Sequence, residues 1–175
     1  MADARDRVLD DEQRRILRVA AGVLPRHGFE LAGGTALAAA YLGHRRSDDL
    51  DLCTGEAEVG PGLQALTAAL AREGLTVETQ PHQTGRTFAR LYVGTGPVKV
   101  ELGCDRPFHL RPSTAAVESM PVRSLEDLAA DKVLALFGRA AARDFVDVYQ
   151  LLQTHFDWGD LLAMARQKDP GFDHE

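Results

Sequence analysis

The sequence predicts an α+β protein: a small mixed β-sheet flanked by helices, followed by a C-terminal helical segment. Three observations predict it. Short runs of strand length, several of them alternating, fall between Phe29 and Leu102. Helical periodicity without further strands runs from Ser124 to Lys168. No repeat or low-complexity linker interrupts the 175 residues, so one hydrophobic core can serve the chain.

The elements follow in order. Asp10 to Leu24 places Ile16, Leu17, Ala20, Val23 and Leu24 on one helical stripe, stopped by Pro25-Arg26-His27-Gly28. Phe29-Glu30-Leu31-Ala32 reads as a strand, Gly33-Gly34-Thr35 as a turn, and Ala36 to Leu42 as a helix closed by Gly43. Asp49-Leu50-Asp51-Leu52-Cys53 alternates strictly, the mark of a strand with one polar and one apolar face. Pro61 to Glu73 reads as a surface helix, and Leu75–Thr79, Thr87–Val93 and Val98–Leu102 as strands, the last two joined by Gly94-Thr95-Gly96-Pro97. Pro107 to Pro121 reads as irregular. Ser124 with Asp127 starts a helix that continues to Phe137, where Gly138 is a candidate break. Helical pattern resumes over Asp144–Gln153 and Asp157–Lys168.

Composition narrows the class. Hydrophobic residues at 45% and charged residues at 26% exclude a disordered tail or a collagen. No run approaches the ~18 apolar residues of a membrane helix, and the charged start has no apolar stretch behind it, so the expectation is a cytoplasmic protein with free thiols. Cys53 and Cys104 fall on opposite strand faces, which argues against a disulfide. A net charge of -6 argues against coating nucleic acid by bulk charge, though not against a local basic cleft. Basic residues are nearly all arginine; the lysines are Lys99, Lys132 and Lys168.

The candidate chemistry starts at Asp49 and Asp51. On a strand their carboxylates share a face about 7 Å apart, while Leu50 and Leu52 face the core. Two acids on one face repel unless a cation sits between them, and Mg²⁺ held by one or two carboxylates plus substrate phosphates is the natural partner. Taken alone, such a pair is also a common solvated strand face. Gly33-Gly34-Thr35, between strand and helix, can place backbone N–H groups against an anion. Val98-Lys99-Val100-Glu101-Leu102 puts Lys99 and Glu101 on one face, so Glu101 adds a third carboxylate if this strand neighbours the first; the alternative is a cross-strand salt bridge of Lys99. Lys132 lies on the inward stripe of its helix, where it either snorkels or reaches a phosphate. Of His44, Arg45 and Arg46, either arginine can bind phosphate.

Taken together, Leu31-Ala32-Gly33-Gly34-Thr35-Ala36-Leu37, His44 to Leu52, and Asp131-Lys132 through Arg139 to Arg143-Asp144-Phe145-Val146-Asp147 resemble the DNA polymerase β-like nucleotidyltransferases, and among them the AbiEii/AbiGii toxin family. The resemblance runs from about Glu30 to Leu152. It implies a nucleotidyltransferase fold, with residues 1–106 as catalytic core and 107–175 as a linker and helical segment packed on it. It implies Mg²⁺ at a two-metal site of Asp49, Asp51 and Glu101, and Lys132 at phosphate or pyrophosphate. Gly33, Gly34, Thr35, Arg46, Ser47, Arg139, Asp144 and Asp147 would line the nucleotide. The family often has Asp where Glu101 stands, and Asp105 is the fallback. The implied substrate is a nucleoside triphosphate (NTP), and the implied partner is a cognate antitoxin. The acceptor stays open between a tRNA end, a small molecule and a protein, as does pairing with a second copy. The rival readings are an aminoglycoside- or lincosamide-type nucleotidyltransferase, which usually carries Trp after the glycines, and a degenerate binding module.

Overall fold

The alternation at Asp49 becomes the central strand of a seven-stranded mixed sheet in the computed structural model, which describes residues 4–105 and 108–173. The expected boundary between residues 106 and 107 lies outside the described residues. In chain order come α1 (Asp11–Ala21), β1 (Phe29–Ala32), α2 (Gly33–Ala36) running into a π-helical turn over Leu37–Leu42, and β2 (Asp49–Thr54). Next are α3 (Gly60–Arg72), β3 (Val77–Thr79), β4 (Phe88–Val93) and β5 (Val98–Cys104). The chain closes with β6 (Ala115–Val117), β7 (Met120–Val122), α4 (Leu125–Arg139), α5 (Ala142–Thr154) and α6 (Trp158–Lys168).

The strand order is β3-β4-β5-β2-β1-β7-β6. Strands β2 and β5 run parallel with Asp49 opposite Lys99 and Asp51 opposite Glu101, and β1 runs antiparallel to β2 with Ala32 opposite Asp51. This register is fixed by burial. Leu50, Leu52, Val100, Leu102 and Leu91 are wholly buried in one core with Ile16 and Leu17 of α1 and Leu66 and Leu70 of α3. A one-residue slip of any strand would turn these side chains to the other face and bring acids into the core. The polar face is thus a by-product of the apolar one.

The helices begin where capping chemistry allows. Asp10 and Gln13 form a reciprocal capping box on α1, Ser124 accepts from the Asp127 N–H at the start of α4, and Asp157 and Asp160 do the same as a box on α6. Helix α4 continues through Gly138 and ends at Ala140 in the left-handed region, so the glycine does not break it. Helix α5 opens at Ala142, and Asp144 is buried within its first turn. No helix among the described residues is long and apolar enough to cross a membrane.

Two segments depart from the sequence reading: Gly33-Gly34-Thr35, expected as a turn, already belongs to α2, and a hairpin stands in a stretch expected to be irregular. The irregular stretch expected before Pro121 contains the β6–β7 hairpin, and β7 pairs in parallel with β1. Its turn residues, Glu118 and Ser119, have φ of 49° and 67°. A two-residue turn of this hand normally uses Asn-Gly or Gly-Gly, so the usual signal is absent. Tertiary contacts hold it instead. The Glu118 carboxylate accepts from Arg14 at 2.7 Å and Arg18 at 2.8 Å, tying the hairpin to α1. Ser119→Gly should relieve the left-handed backbone and raise stability by about 0.5–1 kcal/mol, read as a higher urea midpoint at unchanged slope.

Candidate active site

The polar face of the sheet forms a grid. Across β4, β5 and β2, Tyr92, Lys99 and Asp49 make one row. Arg90, Glu101, Asp51 and then Ala32 of β1 make the next, and Phe88, Gly103, Cys53 and Glu30 the third. Three carboxylates therefore lie on adjacent positions, but their partners differ. Asp49 is 2.9 Å from Lys99 and 3.8 Å from Arg143. Glu101 is 2.5 Å from Arg90 and 3.6 Å from Lys99. Asp51 has no ion-pair partner among the described residues. Burial, then the charges of Glu101 and Asp49, push its carboxyl up to about 6.

The glycines before α2 serve this grid. Gly33 opens the helix at φ 66°, and a Cβ there would strike the Asp51 carboxylate. A Cβ on Gly34 would strike the Arg45 guanidinium. Only glycine leaves room for both groups, so the pair forms the floor of the site.

Opposite the acids stands a basic wall, held from behind by two buried aspartates of α5. Asp147 accepts from His44 Nε2 at 2.7 Å, from Arg45 Nε at 2.7 Å and Nη2 at 2.9 Å, and from Lys132 Nζ at 2.7 Å. Burial alone would raise this carboxyl; the bonds from Arg45 and His44 and the charge of Lys132 reverse that and hold it well below the usual range. Asp144 accepts from Arg139 at 2.8 Å and 3.0 Å and from Lys132 at 3.3 Å. Both aspartates are fully buried. Arg45, Lys132 and Arg139 are thus charge-compensated on their inner side and line the cleft on the other, a geometry that presents donors to an anion.

Acids and cations enclose two confluent clefts. The first, about 100 Å³, is lined by Gly33, Gly34, Ser47, Asp49, Asp51 and Glu101 and by Arg45, Lys132, Arg139 and Arg143. The second, about 350 Å³, shares Asp51, Glu101, Lys132 and Arg139 and extends over Cys53, Phe88 and Ala135. Its far wall is Arg123, buried among Glu30, Asp105 and Asp131. The groove between α1 and α3, lined by Arg15, Arg18 and Arg72, is larger, but Glu73 is the one carboxylate residue in its lining.

Most of the sequence-expected residues meet here, with four corrections of placement. Thr35 does not face the cleft: it is buried, and its hydroxyl lies 2.6 Å from Ser47 Oγ and on the Asp49 carbonyl, so it fixes the loop entering β2. Arg46 lines a separate groove with Asp6, Arg7 and Asp10, and its neighbour Arg45 takes the place at the cleft. Asp144 and Asp147 stand behind the basic wall rather than at its surface. Asp105 is bound to Arg123. Arg143, which the sequence places in the Arg143-Asp144 motif without an assigned role, lines the cleft near Asp49. Both cysteines are free.

A hard divalent cation such as Mg²⁺ takes oxygen donors. Among the described residues no three His, Cys, Asp or Glu side chains converge as a metal-holding group, because Glu101 is drawn to Arg90 and Lys99. Asp49 and Asp51 do fit: two oxygen-donor carboxylates, one of them half-buried with no ion-pair partner among the described residues, beside room for phosphate oxygens.

Solved structures with this fold place the chain in a class. It resembles JHP933 from Helicobacter pylori, at 20% identity and a TM-score of 0.64, covering 91% of this chain and 75% of that one. It also resembles MenT4, a nucleotidyltransferase toxin from Mycobacterium tuberculosis, at 16% identity and 0.62, covering 86% and 61%. The Megavirus polyadenylate synthase shares the fold at 14% identity and 0.58, covering 86% of this chain and 33% of that one. The comparison with curated proteins finds no match. The class is the nucleotidyltransferase fold. Within it, the family described as "Nucleotidyl transferase AbiEii toxin, Type IV TA system" matches residues 15–173, and the chain belongs to that family of toxin-type nucleotidyltransferases.

Two outcomes check this geometry. Asp147→Ala strands Lys132, Arg45 and His44 without their shared anion and should cost about 3–5 kcal/mol in chemical denaturation. Asp51→Asn should do the opposite. A carboxyl whose folded pKa is raised favours the native state below its unfolded value and disfavours it as pH rises through the folded one. With Asp51 near 6, the metal-free variant should be more stable than wild type by about 1–3 kcal/mol at pH 8, the difference vanishing below about pH 4.

Proposed function

We propose that the chain transfers a nucleoside monophosphate from an NTP to an acceptor hydroxyl with Mg²⁺, as a toxin whose action a cognate antitoxin opposes. The observation that carries this reading is the opposition, across one cleft, of the Asp49–Asp51 pair and four basic side chains. The triphosphate would lie along Arg45, Lys132, Arg139 and Arg143 above the two glycines, with Ser47 beside it. Asp49 and Asp51 would hold Mg²⁺, which supplies Lewis-acid polarisation of phosphoryl oxygens. The acceptor enters through the second cleft, whose shared wall with the first is Asp51 and Glu101. A carboxylate there accepts the hydroxyl proton. An oxygen–phosphorus bond forms at the α-phosphorus, the bond to the bridging oxygen breaks, and pyrophosphate leaves. Lys132 and Arg139, preorganised by Asp144, offset the charge that develops on the leaving group.

We favour an RNA acceptor. Helix α5, whose Arg143 lines the cleft, exposes Phe145 at 54% and Tyr149 at 62%, one turn apart. Exposed aromatics next to arginines suit stacking of unpaired bases, and such local chemistry does not require a basic chain overall. A small-molecule acceptor would leave that face unused.

The experiment incubates the protein with each α-labelled NTP, with and without Mg²⁺, and with RNA, protein or small-molecule pools. Label should enter RNA, only with Mg²⁺, and Asp51→Asn should lower the rate about 10³-fold. Arg143→Ala, an exposed residue, should raise the KM for NTP about tenfold with little loss of stability. Label confined to a small-molecule pool would overturn the RNA reading. Transfer that persists in Asp51→Asn would overturn the site.

A further inference from the structure

Of the 20 basic residues only three are lysine, and each ends between carboxylates. Lys132 joins Asp144 and Asp147, Lys168 joins Asp127 and Asp131, and Lys99 joins Asp49 and Glu101. The reaction proposed above gives Lys99 no role, yet it stands in the middle of the acidic grid. It is directly across the parallel ladder from Asp49 and two residues before Glu101 on the same face. Its ammonium lies 2.9 Å from one carboxylate and 3.6 Å from the other, and three quarters of the side chain is covered. From the opposite side Arg90 holds Glu101 at 2.5 Å and also stacks over Phe88.

A compact ammonium differs from a guanidinium here. It is a point charge able to sit between two oxygens, where a planar fork would reach past them. The space between two carboxylates is also where a second divalent ion would bridge them in a two-metal site. We infer that Lys99 is a resident cation of the active site. Its ammonium neutralises the Asp49–Glu101 pair in place of a second metal, keeps Glu101 out of metal ligation, and restricts the site to one divalent ion at Asp49 and Asp51. Glu101 is then a positioning residue that fixes Lys99, and the three-carboxylate, two-metal arrangement implied by the family resemblance does not hold for this chain. The inference rests on the assignment of Asp49 and Asp51 to the metal.

The test is a Mn²⁺ titration of the whole, nucleotide-free chain, read from the electron paramagnetic resonance of free Mn²⁺, so that no turnover is needed. Wild type should bind a single ion per chain. Lys99→Met keeps the length of the side chain and removes its charge; it should bind Mn²⁺ about tenfold more tightly and take up a second ion. Glu101→Gln should shift wild-type affinity by no more than about threefold, since it removes no ligand. This last variant decides the matter if Lys99→Met does not fold. Two ions bound by wild type, a Lys99→Met isotherm that matches wild type, a tenfold loss in Glu101→Gln, or no Mn²⁺ binding by any of these proteins would overturn the inference. Asp51→Asn separates the two claims. If it abolishes binding while Lys99→Met behaves as wild type, only the role of Lys99 fails. If it leaves binding unchanged, the metal assignment fails as well.

Discussion

Asp147 anchors the active face. One fully buried carboxylate receives the His44 ring, the Arg45 guanidinium and the Lys132 ammonium, and so joins the loop before β2, helix α4 and helix α5 at a single point. Without that anion Arg45 and Lys132, cations from two different segments, would repel one another, and the basic wall could not stand a few ångströms from the acidic grid. Asp144 extends the same logic to Arg139. The two aspartates therefore act on any bound nucleotide through the cations they hold. Their worth lies in orientation: a buried ion pair adds little net stability but removing one partner is costly.

The site is arranged at some cost to the fold. Asp51 is half-buried beside two other acids with no ion-pair partner among the described residues, and the apolar face of the same strands offsets the penalty. Leu50 and Leu52 are wholly buried directly between Asp49, Asp51 and Cys53. The period of two in a strand makes this coupling strict, because no register can bury the leucines without presenting the aspartates to the other side. The net charge of -6 also acquires a location. Several acids are engaged with lysines and arginines within the protein, so the cleft itself meets an anionic substrate with its basic wall.

Much of this was legible in the sequence where side-chain parity or helical phase decides the outcome. The alternation from Asp49 to Cys53 sufficed to place both carboxylates on one face, the repeat at Val98–Leu102 put Glu101 beside them, and the inward phase of Lys132 on its helix marked it as more than surface. What escaped depended on contacts between distant segments. Nothing local separates Arg45 from Arg46; only the position of Asp147, 102 residues further on, selects the first. The Asp144–Asp147 spacing marks a motif without telling whether its acids face a ligand or the cations behind one. The β6–β7 hairpin escaped because its turn carries Glu118 and Ser119 at positive φ, stabilised by Arg14 and Arg18 rather than by glycine. Glu101 was placed correctly on its face, but its engagement with Arg90 and Lys99 follows from the order of β4, β5 and β2, which no single strand encodes.

The central claim is spatial: acids on the sheet and cations on the helices form opposite walls of one nucleotide site. Its most direct test is a crystal structure of the chain with Mn²⁺ and a non-hydrolysable NTP. The account predicts an anomalous peak in contact with Asp49 and Asp51 and a triphosphate lying along Arg45, Lys132 and Arg139. A metal away from both aspartates, or phosphates outside the cleft floored by Gly33 and Gly34, would contradict it.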